Sequence, residues 1–414
     1  MTTLISNIKL LVNTREQFHL LRGKELSQLP CIENAFLIIE DDQIAEYGAM
    51  TEVKFRVSDF TSHLDAAGKM VLPSWCDSHT HLVFAGSREN EFVDKIKGLS
   101  YAEIAAKGGG ILNSAKKING ITEDELYKQS YKRLQEVIHS GTGAIEIKSG
   151  YGLSVEGELK MLRVIQRLKR NSKISIKATF LGAHAFPVEY KQNRPAYIDL
   201  IIDQMLPVIA NEQLADYIDV FCEEGFFTPS ETEQICNAGK AIGLKPKIHA
   251  NQLSSSGAVQ VGVKLGAVSV DHLETMNEED IQSLTRASTI GTLLPTAAFF
   301  LRMPYQPARK LIESDCAIAL ASDFNPGSSP SGNMNFVVAL SCIQMKMLPE
   351  EAINAATLNG AYAMELEHET GSITIGKKAN LIVTKDIPSL AYLPYSFGSS
   401  VIDRVMVSGE WLTQ

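Results

Sequence analysis

Eight short apolar runs, spaced along the middle of the chain and separated by stretches of helical periodicity, leave few folds open. The runs are Val71–Asp77, Gly143–Lys148, Ile174–His184, Tyr217–Glu223, Leu244–His249, Ala267–His272, Thr289–Pro295 and Ala317–Asp323. Parallel strands need a crossover between them, usually a helix. The crossover between the first two runs has a helix signature. Thr122 and Glu125 have capping-box spacing, Leu126, Leu134, Val137 and Ile138 share one face, and Gly141 follows as a stop. Eight such alternations predict an α/β fold, a (β/α)8 TIM-type barrel with its catalytic groups at the C-terminal ends of the strands.

The two ends of the chain read differently. Residues 35–48, "AFLIIEDDQIAEYG", predict two short strands turning at Asp41 and Asp42. Near the other end, "GSITIGKKANLIVTKD" and "DRVMVSGEWL" also read as strands, with Ser408 and Gly409 as a hairpin turn. The division that follows places residues 1–64 and 371–414 together in a small β domain and residues 65–370 in the barrel. A chain of 414 residues, 45% of them hydrophobic, has ample material for both cores.

Other classes are disfavoured. A net charge of -9 gives no reason to expect nucleic acid or an anionic membrane as a partner. No apolar stretch approaches the length that spans a bilayer. The opening segment "MTTLISNIKLLVNTREQF" lacks the small-residue cleavage site of a secretory signal. Six cysteines (Cys31, Cys76, Cys222, Cys236, Cys316 and Cys342) occur without a CxxC. They read as reduced, mostly buried thiols of a cytoplasmic protein.

The candidate chemistry sits where the runs end. In a strand, residues i and i+2 face one side, so His79 and His81 point together. Two neutral imidazoles make half of a metal site, though HxH alone fits a pair of surface histidines equally well. His184, His249 and His272 close the third, fifth and sixth runs, and Asp323 closes the eighth; five of the nine histidines thus fall at predicted strand ends. Singly, His249 suits a core position and Asp323 a loop cap. Jointly, three imidazoles and a carboxylate suit one metal ion with room for a water.

HxH after the first strand, His after the fifth and sixth, and Asp after the eighth resemble the amidohydrolase superfamily of metal-dependent hydrolases, and the β domain built from both chain ends agrees. The segments "CDSHTH", "GSRENEF", "EIKSGYGL", "FLGAH", "DHLE" and "SDFNPGSSP" narrow the resemblance, over essentially the whole chain, to the cyclic amidohydrolases of histidine degradation. The resemblance implies hydrolysis of the ring amide C–N bond of 4-imidazolone-5-propanoate to N-formimidoyl-L-glutamate. It implies metal ligation by His79, His81, His249 and Asp323. It implies substrate binding by Arg88, Tyr151, His184 and Gln252, with Asn325, Gly327 and Ser328 from the eighth loop. It places His272 toward the attacking water or the substrate carbonyl, and makes Asp323 and His272 the catalytic pair. Binuclear relatives carry a carboxylated lysine at the end of the fourth strand. Here that strand reads "IDVFCEEG", so one ion per chain is expected, and Lys148, after the second strand, is not recruited as a bridge. The ion is divalent or trivalent, with zinc placed ahead of iron. The partner is a small molecule with a carboxylate tail, and a homodimer is the expected assembly.

The residues themselves fit that chemistry. Asp323 is placed to take a proton from water and pass it to the leaving nitrogen, with a protonated His272 stabilising the oxyanion. Gln252 is neutral and cannot serve as the base. Arg88, seven residues past His81, offers a fork for a carboxylate; taken alone it is a surface arginine. Tyr151 stands between two glycines that permit close approach of a ligand, and "NPGSSPSG" offers backbone N–H groups and the Ser328 hydroxyl. The stretch "AAKGGGIL" lacks the lysine and hydroxyl of a phosphate loop and reads as a hinge or lid around Gly108 to Gly110. Glu367, His368 and Glu369 read as a solvated charge cluster. Two other readings stand beside this one. A heterocycle deaminase of the same superfamily would have no need of Arg88, and a non-catalytic barrel would have lost its metal ligands.

Overall fold

The structure is a computed structural model that describes residues 1–99, 103 and 109–413. Eight parallel strands form the larger unit. Barrel strand 1 is Trp75–Asp77, strand 2 Thr142–Lys148, strand 3 Ser175–Ala183 and strand 4 Tyr217–Cys222. Strand 5 is Lys245–Ala250, strand 6 Ser269–His272, strand 7 Ile290–Leu293 and strand 8 Ile318–Leu320. Each pairs in parallel with the next. Strands 1 and 8 do not pair along their length. The ring is closed just beyond them, where Asp323 N–H donates to His79 O at 3.0 Å and His81 N–H donates to Phe324 O at 2.9 Å. Asp77 reinforces this seam by accepting from the Ser322 N–H at 2.9 Å and the Ser322 hydroxyl at 2.6 Å.

Helices cover the outside of the ring. The helix Glu123–His139 begins at Thr122, whose side chain accepts from the Glu125 N–H; that is one half of the expected capping box. Its Leu126, Leu134, Val137 and Ile138 are buried in the main core with Ile145 and Ile147 of strand 2. Exposing one such leucine costs about 1.5–3 kcal/mol, so this apolar face is what holds the helix to the barrel.

The second sheet joins both chain ends. Its order runs Glu410–Trp411, Ile402–Val407, Leu381–Asp386, Lys69–Pro73, Thr2–Val12, Cys31–Glu40, Gln43–Ala49, with Ser62–Asp65 added beside Thr2–Val12. Ser408 and Gly409 have φ of 45° and 76°, the paired positive values that a two-residue hairpin of matching twist requires. Ile5, Ile8, Leu37, Val71, Leu381 and Val383 share this domain's separate core.

Three expectations change. The run Val71–Asp77 is two strands, because Lys69–Pro73 pairs antiparallel with Leu381–Asp386 and only Trp75–Asp77 enters the barrel. Pro73 has no N–H to continue a ladder, and Ser74 turns its own N–H to Asn380 O at 2.9 Å. Thr2–Val12, not singled out as a strand, is central to the small sheet. In "GSITIGKKANLIVTKD" only Leu381–Asp386 is a strand, preceded by two isolated bridges, Ile373 with Thr14 and Lys378 with Gln43. All six cysteines are free thiols; Cys76, Cys222, Cys236 and Cys316 are buried, Cys342 is half-buried and Cys31 is exposed. Among the described residues no helix is long and apolar enough to cross a membrane.

Candidate metal centre and active site

The seam that closes the barrel also assembles the ligands. His79 and His81 alternate to one side of the chain just past strand 1, and Asp323 meets them from strand 8. The rings of His79 and His249 lie 4.6 Å apart between centroids, and His81 Nε2 is 3.3 Å from His249 Nε2. Asp323 Oδ1 is 3.6 Å from His79 Nε2 and 3.8 Å from His81 Nε2. The donor atoms of His79, His81 and His249 all fall within 4.8 Å of one another, as do those of His79, His272 and Asp323. Asp323 and His272 have φ of 52° and 92°, left-handed values that cost about 1–3 kcal/mol and persist where surrounding structure enforces them.

Carboxylates behind the ring decide which nitrogens face the centre. His79 Nδ1–H donates to Asp271 Oδ2 at 2.7 Å, and His249 Nδ1–H donates to Asp219 Oδ2 at 3.0 Å. Each Nε2 lone pair is thereby turned inward, as a metal ligand requires. His79 Nε2 is buried without a hydrogen-bond partner. Burial, then neighbouring cationic groups, lowers the pKa of His79, His81 and His249 well below the ordinary value, so all three are neutral at pH 7. Burial raises Asp323 to about 6, against the opposing pull of His272, Ser328 and Asn325. Three neutral imidazoles and a carboxylate of this kind fit one first-row metal ion.

His272 packs as closely on the cluster as the triad's own rings do, and differs from them in its partner. Its ring lies 5.5 Å from His79 and 5.2 Å from His249, and its Nδ1 faces Glu274 Oε1 at 3.4 Å. Burial disfavours its charged form, yet Glu274, Asp323 and Asp271 together hold its pKa above the ordinary value.

Beside the centre lies a cavity of about 770 Å³, joined to it through His184 on His81 and Ser328 on Asp323. Arg88, Tyr151, His184 and Gln252 are on its wall, with Asn325, Gly327 and Ser328 from the eighth loop. His184 stacks on His81 with centroids 5.3 Å apart, and Tyr151 lies 5.4 Å from His184. Arg88 is pinned by Glu91, to which it donates from Nε at 2.8 Å and Nη2 at 2.7 Å. The loop donors have a different use from the one expected. The N–H groups of Gly327 and Ser328 turn back to Asn325 Oδ1 at 2.7 and 2.8 Å, and the Ser328 hydroxyl donates to Asp323 Oδ2 at 3.0 Å. Asn325 makes this Asx-type turn because its short amide reaches the backbone two residues on.

Several residues of the site escaped the sequence reading. Glu91, inside "GSRENEF", is one, the carboxylate that fixes Arg88. Glu223 accepts from the Leu253 N–H at 2.9 Å and from the Ser254 hydroxyl, fixing the loop that carries Gln252. Phe221, Phe226 and Phe300 supply apolar wall. Asp219, Asp271, Glu146, Lys148 and Lys247 are buried charges around the ligands. A signal for these existed: charges at alternate positions of otherwise apolar strands, such as Lys247 two residues before His249. Residues 105–108 of the expected lid lie outside the described residues. Gly110, at φ 81°, precedes the helix Ile111–Gly120 and donates its N–H to Glu91 Oε1 at 3.1 Å.

A closed parallel barrel with an inward histidine and aspartate cluster at its C-terminal mouth defines a metal-dependent hydrolase, and the chain belongs to the Amidohydrolase family, which residues 70–412 match. It is similar to the imidazolonepropionase of Flavobacterium johnsoniae, 59% identical over 411 residues that cover 99% of this chain and 100% of that one. It is also similar to the imidazolonepropionase of Alkaliphilus metalliredigens, at 38% identity over 98% of this chain and 97% of that one. Among solved structures, guanine deaminase from E. coli superposes with a TM-score of 0.75 at 13% identity, covering 100% of this chain and 99% of that one. A triazine hydrolase variant superposes with a TM-score of 0.74 at 14% identity, covering 100% and 95%. Likeness at that identity carries the fold only.

Proposed function

We propose that the chain hydrolyses the ring amide C–N bond of 4-imidazolone-5-propanoate, yielding N-formimidoyl-L-glutamate in histidine degradation. The observation that carries this reading is the full-length similarity, at 59% identity, to a relative named imidazolonepropionase. The cavity supports it. One wall holds Arg88, a fixed cation for the propanoate, while Tyr151, His184 and Gln252 surround the space a flat ring would fill. His79, His81, His249 and Asp323 would hold a metal ion, which would supply acidification of water and polarisation of a carbonyl.

The chain's own groups then divide the work. Arg88 binds the substrate carboxylate, and its orientation is set by Glu91. Gln252 donates and accepts hydrogen bonds at the ring. Asp323, which burial raises to about 6 in the chain without an ion, is the carboxylate placed to accept a proton. It takes the proton released as water adds to the carbonyl carbon, and delivers it to the ring nitrogen as the C–N bond breaks. His272, whose protonated form its carboxylate neighbours favour, is the group placed to donate to the developing oxyanion.

The reading includes one ion per chain, zinc ahead of iron, a homodimer and a cytoplasmic location. Elemental analysis and the particle mass in solution test the ion count and the dimer. The activity is tested by incubating the protein with imidazolone propanoate and following loss of its ultraviolet absorbance. The expected result is loss of absorbance with formation of N-formimidoyl-L-glutamate. An inert substrate, together with ammonia release from a nucleobase, would replace this reading with the deaminase.

A further inference from the structure

A barrel interior is ordinarily filled by layers of branched apolar side chains. Here the space next to the ligand cluster holds Glu146, Lys148, Asp219, Lys247 and Asp271, none more than 1% exposed. Burying five charges is costly unless each is paired in good geometry. The pairing is not diffuse, because it converges on one nitrogen. Lys148 Nζ donates to Glu146 Oε1 at 2.6 Å and to Asp219 Oδ2 at 2.8 Å, and lies 3.4 Å from Asp271 Oδ2. Those same two aspartate oxygens accept the Nδ1–H of His249 and of His79. Lys247 has other duties: it donates to Ser78 O and Ala363 O, both at 3.1 Å, and pairs with Glu146.

We propose that Lys148 is a positioning residue of the metal centre, a single buried ammonium that holds both of the carboxylates that aim His79 and His249. Its side chain is fully buried and its ammonium is taken up by Glu146, Asp219 and Asp271, so it acts through those carboxylates and not on substrate. Without it, two carboxylates that share one cation would face each other in an interior of low dielectric. Their repulsion would turn them away, and each histidine would lose the acceptor that fixes its ring. Outer partners of this kind are ordinarily worth about 10–100-fold in metal affinity. Lys148 serves two ligands at once, so its removal acts on both.

This inference rests on the single-metal reading above, and the experiment separates the two. Zinc-loaded wild type and Lys148→Met are compared for the rate of zinc transfer to a chelating dye. The visible spectrum of the cobalt(II)-substituted protein, thermal melting, kcat and KM are read on the same samples. The expected result is zinc loss about 10–100-fold faster in K148M, an altered cobalt(II) band, and a fall in kcat with little change in KM. A folded K148M that keeps zinc at the wild-type rate with a wild-type cobalt(II) spectrum overturns the role of Lys148. A wild type that holds neither metal overturns the metal reading itself.

If K148M does not fold, Asp219→Asn and Asp271→Asn are made in chains that keep Lys148. Since the two share one cation, losing both leaves Lys148 opposed only by Glu146. The double variant should then lose zinc faster than the product of the two single effects. A simple product of the single effects overturns the shared hub.

Discussion

Gly327→Ala isolates the carboxylate-binding side of the site. Gly327 does not have a positive φ, so alanine meets no backbone penalty there. The added methyl carbon would stand 3.0 Å from Arg88 Cζ and collide with Nη1. Carbon atoms ordinarily approach to about 3.5–4.0 Å, so the guanidinium must move by roughly 0.5–1 Å. It has little freedom to do so, because Glu91 grips Nε and Nη2 at 2.8 and 2.7 Å. Misplacing a substrate-positioning group by about 1 Å costs about 100-fold, which is about 2.7 kcal/mol of transition-state stabilisation. The assay compares kcat/KM for imidazolone propanoate with that for the same ring lacking the propanoate, alongside a melting curve. We expect a loss of about 100-fold for the first substrate, little change for the second, and an unaltered fold. An unchanged kcat/KM, or an equal loss for both substrates, refutes the assignment of Arg88 to the carboxylate.

Three further outcomes follow from Asp323. Its raised pKa of about 6 belongs to the protein without an ion, and His79, His81 and His249 are already neutral there. A protonated carboxyl must release its proton to bind metal, so zinc affinity should fall about tenfold per pH unit below about pH 6 and be flat above about pH 7; a slope of two or more protons in a competition titration contradicts this. Ser328→Ala removes a hydrogen bond that lowers the Asp323 pKa, so the same titration should show its midpoint moved to higher pH. Asp323→Ala should abolish turnover and hasten metal loss, and wild-type rates in both measurements would remove it from the centre.

The legible part of the site was the part written in local spacing. His79 and His81 declare a shared face through their separation alone, and His249, His272 and Asp323 stand where apolar runs stop. Arg88 and Tyr151 were legible only through resemblance, since nothing near them in the chain marks a carboxylate or a flat ring. Glu91 and Glu223 were passed over because nothing beside them in the chain shows what they will face: Glu91 stands in a short helix and Glu223 at a strand end. The strand break at Pro73 was missed for a related reason: an apolar run does not record which of two sheets each half will join.

The sequence by itself determined the number of barrel strands, the ends at which donors stand and the side that His79 and His81 share, because an alternation of two is a property of extended backbone. Tertiary structure alone decided what each donor meets. Closing the ring brings Asp323 against His79 through backbone bonds between distant segments, and sets Lys148 between Asp219 and Asp271 from two other strands. Those meetings depend on how far each strand is displaced along its neighbour, and that displacement is settled by packing around the whole barrel, not by any single run of residues.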